Sequence, residues 1–177
     1  MGDAKLTAQI ARAFVVAHLG LEGLYAKVLE DRGHSVAVWA SQKQSDGTAI
    51  LQIRGASASA TNWHIPDARA FLDIKLGESG VQTILGLKKL EEPDRLHVFV
   101  RVVPLPVFYV LSATDVQKEV RRLYDRNGNG KLVRRVKNSF HCAFNDKDLT
   151  PYNPDAADKV WEKVRHAVGA ARSAVAA

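Results

Sequence analysis

Residues 46–55 read DGTAILQIRG, and the organisation of the chain follows from how this segment is read. QKQSDG (42–47) has turn composition, and TAILQIRG (48–55) reads as the strand that follows it. Side chains alternate along a strand, so Gln52 and Arg54 share one face, and Asp46 has matching parity. In extended chain, Asp46 and Gln52 stand about 20 Å apart. One ion could touch both only if the strand bends or breaks.

Upstream, Ile10, Phe14, Val15, Leu19, Leu24, Val28 and Leu29 recur near helical spacing, which predicts a helix over 5–31. Gly20 and Gly23 lower its propensity and mark either a break or a close approach to a sheet. Gly33 is a candidate C-cap, and HSVAVWAS (34–41) reads as a strand.

Downstream, ASASAT reads as a loop and NWHI as a short strand. Strands around 71–76 and 81–90 make a hairpin within 69–90. RLHVFVRVV (95–103), rich in β-branched residues, gives the clearest strand signal, and LPVFYVLSA (105–113) follows it. Pro104 and Pro106 separate the two or set the second at a sheet edge. Thr114 is the expected N-cap of a helix DVQKEVRRLYDR, and a last helix is expected from about Pro154. A helix feeding a small sheet, then hairpins and further helices, is an α/β or α+β pattern. We expect one domain over 1–177, with the alanine-rich 168–177 a fraying tail.

The 177 residues suffice for one sizeable core, and 46% hydrophobic with 25% charged residues is ordinary for a globular chain. The net charge of +6, with a pI near 9.5, suits a polyanionic partner. Cys142 is the single cysteine, which excludes an internal disulfide and cysteine-rich zinc motifs. The apolar run ARAFVVAHLGL (11–21) is too short and interrupted to span a bilayer. The expectation is a cytoplasmic protein with no membrane association.

Several stretches carry candidate chemistry. Asp125, Asn127, Asn129 and Gly130 match the first half of a calcium loop, but Val136 stands where the bidentate glutamate belongs. A polar helix end explains them better. Pro66-Asp67 and Asp73-Ile74-Lys75 spell a nuclease signature literally, with Asp73 and Lys75 on one strand face. The gap between the aspartates is too short to bring both to one ion readily, and an exposed face with a cross-strand charge pair is the simpler reading. His141 and Cys142 are adjacent and would face opposite sides of a strand, so Cys142 reads as core; the same caution applies to His64. Over 118–137, Lys118, Arg121, Arg122, Arg126, Lys131, Arg134, Arg135 and Lys137 outnumber Glu119 and Asp125. Such a run either holds a nucleic-acid backbone or is a solvated face.

In order, the segments GLEGLYAKVLEDRGHSVAVWAS, LQIRG, NWHI, FLDIKL, ILGLKKL, EPDRLHVFV, VFYVLSATDVQKEV, NSFHCAF and KDL resemble small, mostly uncharacterised proteins of the restriction-endonuclease-like, or PD-(D/E)xK, superfamily. The resemblance covers roughly residues 18–150. It implies a central mixed sheet flanked by helices and a DNA-associated protein derived from a Mg²⁺-dependent endonuclease. Carried over position by position, Glu22 matches the helix glutamate that assists metal binding, Gln52 replaces the second acid, and Arg54 sits where the catalytic lysine belongs. Asp46 is the nearest candidate for the missing aspartate, and the literal DIK falls in a later strand. On this match Glu22 and Asp46 would hold Mg²⁺, Gln52 would position the attacking water, and Arg54 would stabilise charge on the phosphate. Arginine stays protonated and cannot act as a base. That departure leaves two classes open: a divergent hydrolase, or a silent copy that binds nucleic acid or a protein partner, with homodimerisation also open.

Overall fold

A computed structural model of the chain describes residues 4–29, 35–40, 47–57, 62–77, 81–102, 105–126, 133–134, 140–153 and 157–176. Helix α1 (Ala4–Leu21) buries Ala11, Val15 and Leu19, spaced four apart on one stripe. It stops ahead of the expected boundary at 31. Gly23 takes φ +73°, its N–H donates to the Gly20 carbonyl at 3.1 Å, and Leu24 N–H donates to the Leu19 carbonyl at 2.9 Å. This is a Schellman cap, which only a residue tolerant of the left-handed region fits easily. The chain beyond it, Tyr25–Leu29, becomes strand β1 rather than a continuation of the helix.

Strand β1 pairs antiparallel with β2 (Ser35–Trp39), and β2 pairs antiparallel with β3 (Ala49–Ala56). The chain then makes β4 (Trp63–Ile65), a 3₁₀ turn at Ala68–Ala70, and the antiparallel hairpin β5 (Leu72–Leu76) and β6 (Val81–Leu87). It returns as β7 (Leu96–Arg101), parallel to β3, and folds back as β8 (Val107–Ser112). The central sheet has the order β1-β2-β3-β7-β8. Helix α2 (Ala113–Arg126) follows, then β9 (Val133–Arg134) against β6 and β10 (Cys142–Phe144) against β4. Short helices α3 (Asp146–Leu149) and α4 (Ala157–Val160) lead to α5 (Glu162–Ala176), which continues helical through the alanine-rich end. The molecule is thus mixed α and β, with a five-stranded mixed sheet flanked by helices. No described helix is long and apolar enough to cross a membrane.

Thr114 is not the cap of α2. The Ser112 hydroxyl accepts the Asp115 N–H at 3.0 Å, while the Asp115 carboxylate accepts the Ser112 N–H at 3.3 Å. This reciprocal box places the cap two residues earlier than expected.

Strand parity divides the core in two. Leu51, Ile53, Val98, Val100 and Val110 face α1 and α5, where they meet Val15, Leu19, Trp161, Val164 and Val168. Phe99, Tyr109 and Leu111 face the other way, against Trp63, Val116, Val120, Tyr124 and Phe144. Gly55 shows how closely α1 sits: a Cβ there would stand 2.7 Å from Ala11 Cβ and 2.9 Å from the Thr7 carbonyl. Gln117 of α2 pins the hairpin to the second layer, its amide donating to the Phe71 carbonyl at 2.8 Å and the Lys88 carbonyl at 2.7 Å.

Candidate functional site

Gly55 faces α1, so Arg54 beside it points to the opposite face of the sheet. There its Nη1 donates to the His64 carbonyl at 3.4 Å, and its Nε is shut off from solvent without a partner among the described residues. Burial lowers the pKa of this guanidinium, with Cys142 opposing the shift. An arginine nevertheless stays charged. Gln52, on the same face, accepts from Ser35 Oγ and from Arg95 Nη1, each at 3.4 Å. Gln52 and Arg54 therefore do share a face, as the alternation predicts.

Glu22 does not join them. It lies just past the end of α1 and forms an ion pair with Arg165 of α5, on the α1/α5 side of the sheet. The physical reason is the packing of α1 onto Leu51 and Ile53, which leaves Gln52 and Arg54 on the far side. Mg²⁺ holds its oxygen ligands at about 2.1 Å, so an ion could not bridge the sheet from Glu22 to Gln52. Asp46 lies outside the described residues.

The literal signature also comes apart. Asp67 caps the 3₁₀ turn and pairs with Arg69 at 2.7 Å, which with its hydrogen bonds holds its carboxyl below the usual range. Asp73 is exposed opposite Gly86 and Lys75 opposite Thr83, so the expected cross-strand charge pair does not form. Cys142 is buried and His141 exposed, as alternation requires; the His141 and His64 rings are 6.4 Å apart. Most of the calcium-loop pattern lies outside the described residues.

Of the basic run, Lys118 is exposed and Arg121 half-buried on α2. Arg122 has a structural task. It reaches Glu119 on its own helix and the buried Asp148 of α3 at 2.7 Å, tying the two helices together. These carboxylates raise its pKa, chiefly through the Asp148 hydrogen bond. The side chains of Arg126 and Arg134, and residues Lys131, Arg135 and Lys137, lie outside what is described.

Around Arg54 the structure forms an open cleft of about 570 Å³ at the carboxyl end of β3. The first turn of α1 and its Lys5 form one wall, and Asn62, Trp63 and His64 form another. None of its described lining residues carries a carboxylate. Among the described residues, no three His, Cys, Asp or Glu side chains gather as a metal-binding group. A cleft whose described charged members are Lys5 and Arg54 does not fit Mg²⁺, which takes oxygen ligands.

A second polar group lies toward the start of β7. His97 is Gln52's partner in the β3–β7 register. It is 6% exposed, its Nδ1 has no partner among the described residues, and its ring lies 6.0 Å from Phe71. Burial first, and then the charges of Arg54 and Arg95, push its pKa down to about 3, so the imidazole is neutral at ordinary pH. Farther along the same face, Arg101 pairs with Asp146 of α3 and lies over the Trp63 ring, 4.9 Å from its centre. The Tyr109 hydroxyl donates to Asp146 at 3.0 Å; desolvation, then this bond, pushes the phenol to about 12. Arg95, His97, Phe99 and Arg101 alternate within RLHVFVR, and this polar periodicity in a β-branched run was the available signal for them.

Comparison with known proteins yields no family model, curated protein or solved structure that matches the chain.

Proposed function

We propose that the chain is a DNA-binding module of restriction-endonuclease-like architecture that holds the phosphate backbone at the Arg54 cleft without metal-dependent cutting. The observation that carries this reading is the cleft lining: Lys5, Arg54 and His64 around an open space with no acid among its described lining residues. Arg54 presents a permanent charge in partly desolvated surroundings, where a charge-assisted bond to a phosphate oxygen is stronger than in water. The positive end of α1 adds to the same field. The net charge of +6 favours encounter with a polyanion. The mixed sheet, with Gln52 and Arg54 side by side on a central strand, supports the architectural part of the proposal.

The divergent-hydrolase alternative needs an acid beside Arg54, and Glu22 is committed elsewhere. Plasmid DNA incubated with Mg²⁺ or Mn²⁺ should stay intact while labelled duplex is retarded in a gel. Metal-dependent cutting that disappears in Glu22→Ala would overturn the proposal.

A further inference from the structure

The structure points to a second ligand site, away from the cleft: a pocket for a small monocarboxylate headed by Arg95 and His97. It is a space of about 180 Å³ lined by Ala70, Phe71, Leu90, Arg95, His97 and Ala113, with Glu91 and Glu92 at its rim. Among the described residues, Arg95 Nε and His97 Nδ1 are buried without a hydrogen-bond partner. Buried polar groups are rarely left unmatched, so such a pair marks either a strained fold or a place for an incoming group. The charges of Arg54, on the neighbouring strand, and of Arg95 act on His97 and disfavour its protonated form.

The ligand class follows from what Arg95 already does. It takes the Glu92 carboxylate as an ion pair and makes one long bond, 3.4 Å, to Gln52. Its planar fork is suited to carboxylate geometry. Glu92 is thus an internal stand-in for the head group, and a ligand must compete with it. Phe71, Leu90, Ala70 and Ala113 give the other walls an apolar character, so the tail is a short hydrocarbon. Neutral His97 adds directional hydrogen bonding without a charge that changes near neutral pH.

The test is an amide NMR titration of the full chain with acetate, propionate, butyrate and inorganic phosphate. Saturable shifts centred on Phe71, Arg95 and His97 are expected with propionate and butyrate. Arg95→Lys, which keeps the charge and loses the fork, should weaken binding about tenfold or more. Glu92→Gln lies at the exposed rim, is expected to fold normally, and should tighten binding by removing the competitor. Absence of saturable shifts in both the native chain and Glu92→Gln overturns the proposal, as does unchanged affinity in Arg95→Lys. Tighter binding of phosphate than of butyrate overturns the carboxylate assignment. None of these outcomes depends on DNA binding, because neither Arg95 nor His97 lines the Arg54 cleft.

Discussion

The two faces of the central sheet solve different problems with the same strands. Toward α1 and α5, β3 and β7 present Leu51, Ile53, Val98 and Val100, all buried among aliphatic side chains and Trp161. Toward the other layer they present Gln52, Arg54, His97, Phe99 and Arg101, with aromatic rings between the polar groups. One face is a dry packing surface that tolerates little change in volume. The other carries charge at a desolvation cost, and that cost has to be offset by partners or by a ligand. The contrast teaches where to look for function: on the face where unmatched Nε and Nδ1 atoms persist.

One substitution in each layer separates the two faces. Gly55→Val pushes new atoms against Ala11 and the Thr7 carbonyl. It should cost about 3 kcal/mol and lower the melting temperature by roughly 10 °C in calorimetry. Gln117→Leu strands two carbonyls, of Phe71 and Lys88, and should cost about 2 kcal/mol in urea unfolding.

His97 supplies a pH-dependent effect. Its folded pKa, about 3, lies below the ordinary 6.5, so its contribution is fully present above about pH 6.5. As pH falls from there toward 3, the unfolded chain binds a proton that the folded chain refuses, and stability drops by about 1.4 kcal/mol per pH unit. His97→Gln should remove that component from the acid limb, measured as unfolding free energy against pH. An unchanged slope would mean that His97 is not held neutral by its surroundings. The smallest effect is expected at Arg54→Met, which replaces a partly buried charge by an apolar chain of similar length; stability should move by no more than about 1 kcal/mol. A large loss there would make Arg54 a structural residue and dissolve the contrast between the faces.

Much of this arrangement is legible in local pattern. The strands over 48–55, 95–103 and 105–113 declare themselves through β-branched and alternating residues, and parity alone puts Gln52 and Arg54 together. The junction at Gly23 is harder. Helical spacing runs on through Val28 and Leu29, and only the left-handed cap, together with pairing to β2, turns that stretch into a strand. Ser112 competes with Thr114 as a cap on equal chemistry, and Asp115 three residues on decides for Ser112. Which face of β3 receives α1 is a tertiary matter, so the separation of Glu22 from Arg54 could not be read from spacing. The partnership of Arg122 with Asp148 is likewise long-range and looked like part of a charge run.

The proposed phosphate contact of Arg54 makes a prediction about salt. The decisive measurement is DNA affinity against salt for the native chain and for Arg54→Met, side by side in Mg²⁺. If Arg54 holds a phosphate, the variant binds more weakly, its slope of log affinity against log salt is shallower by about 1, and the DNA stays intact throughout. Identical affinity and slope for the two proteins would contradict it.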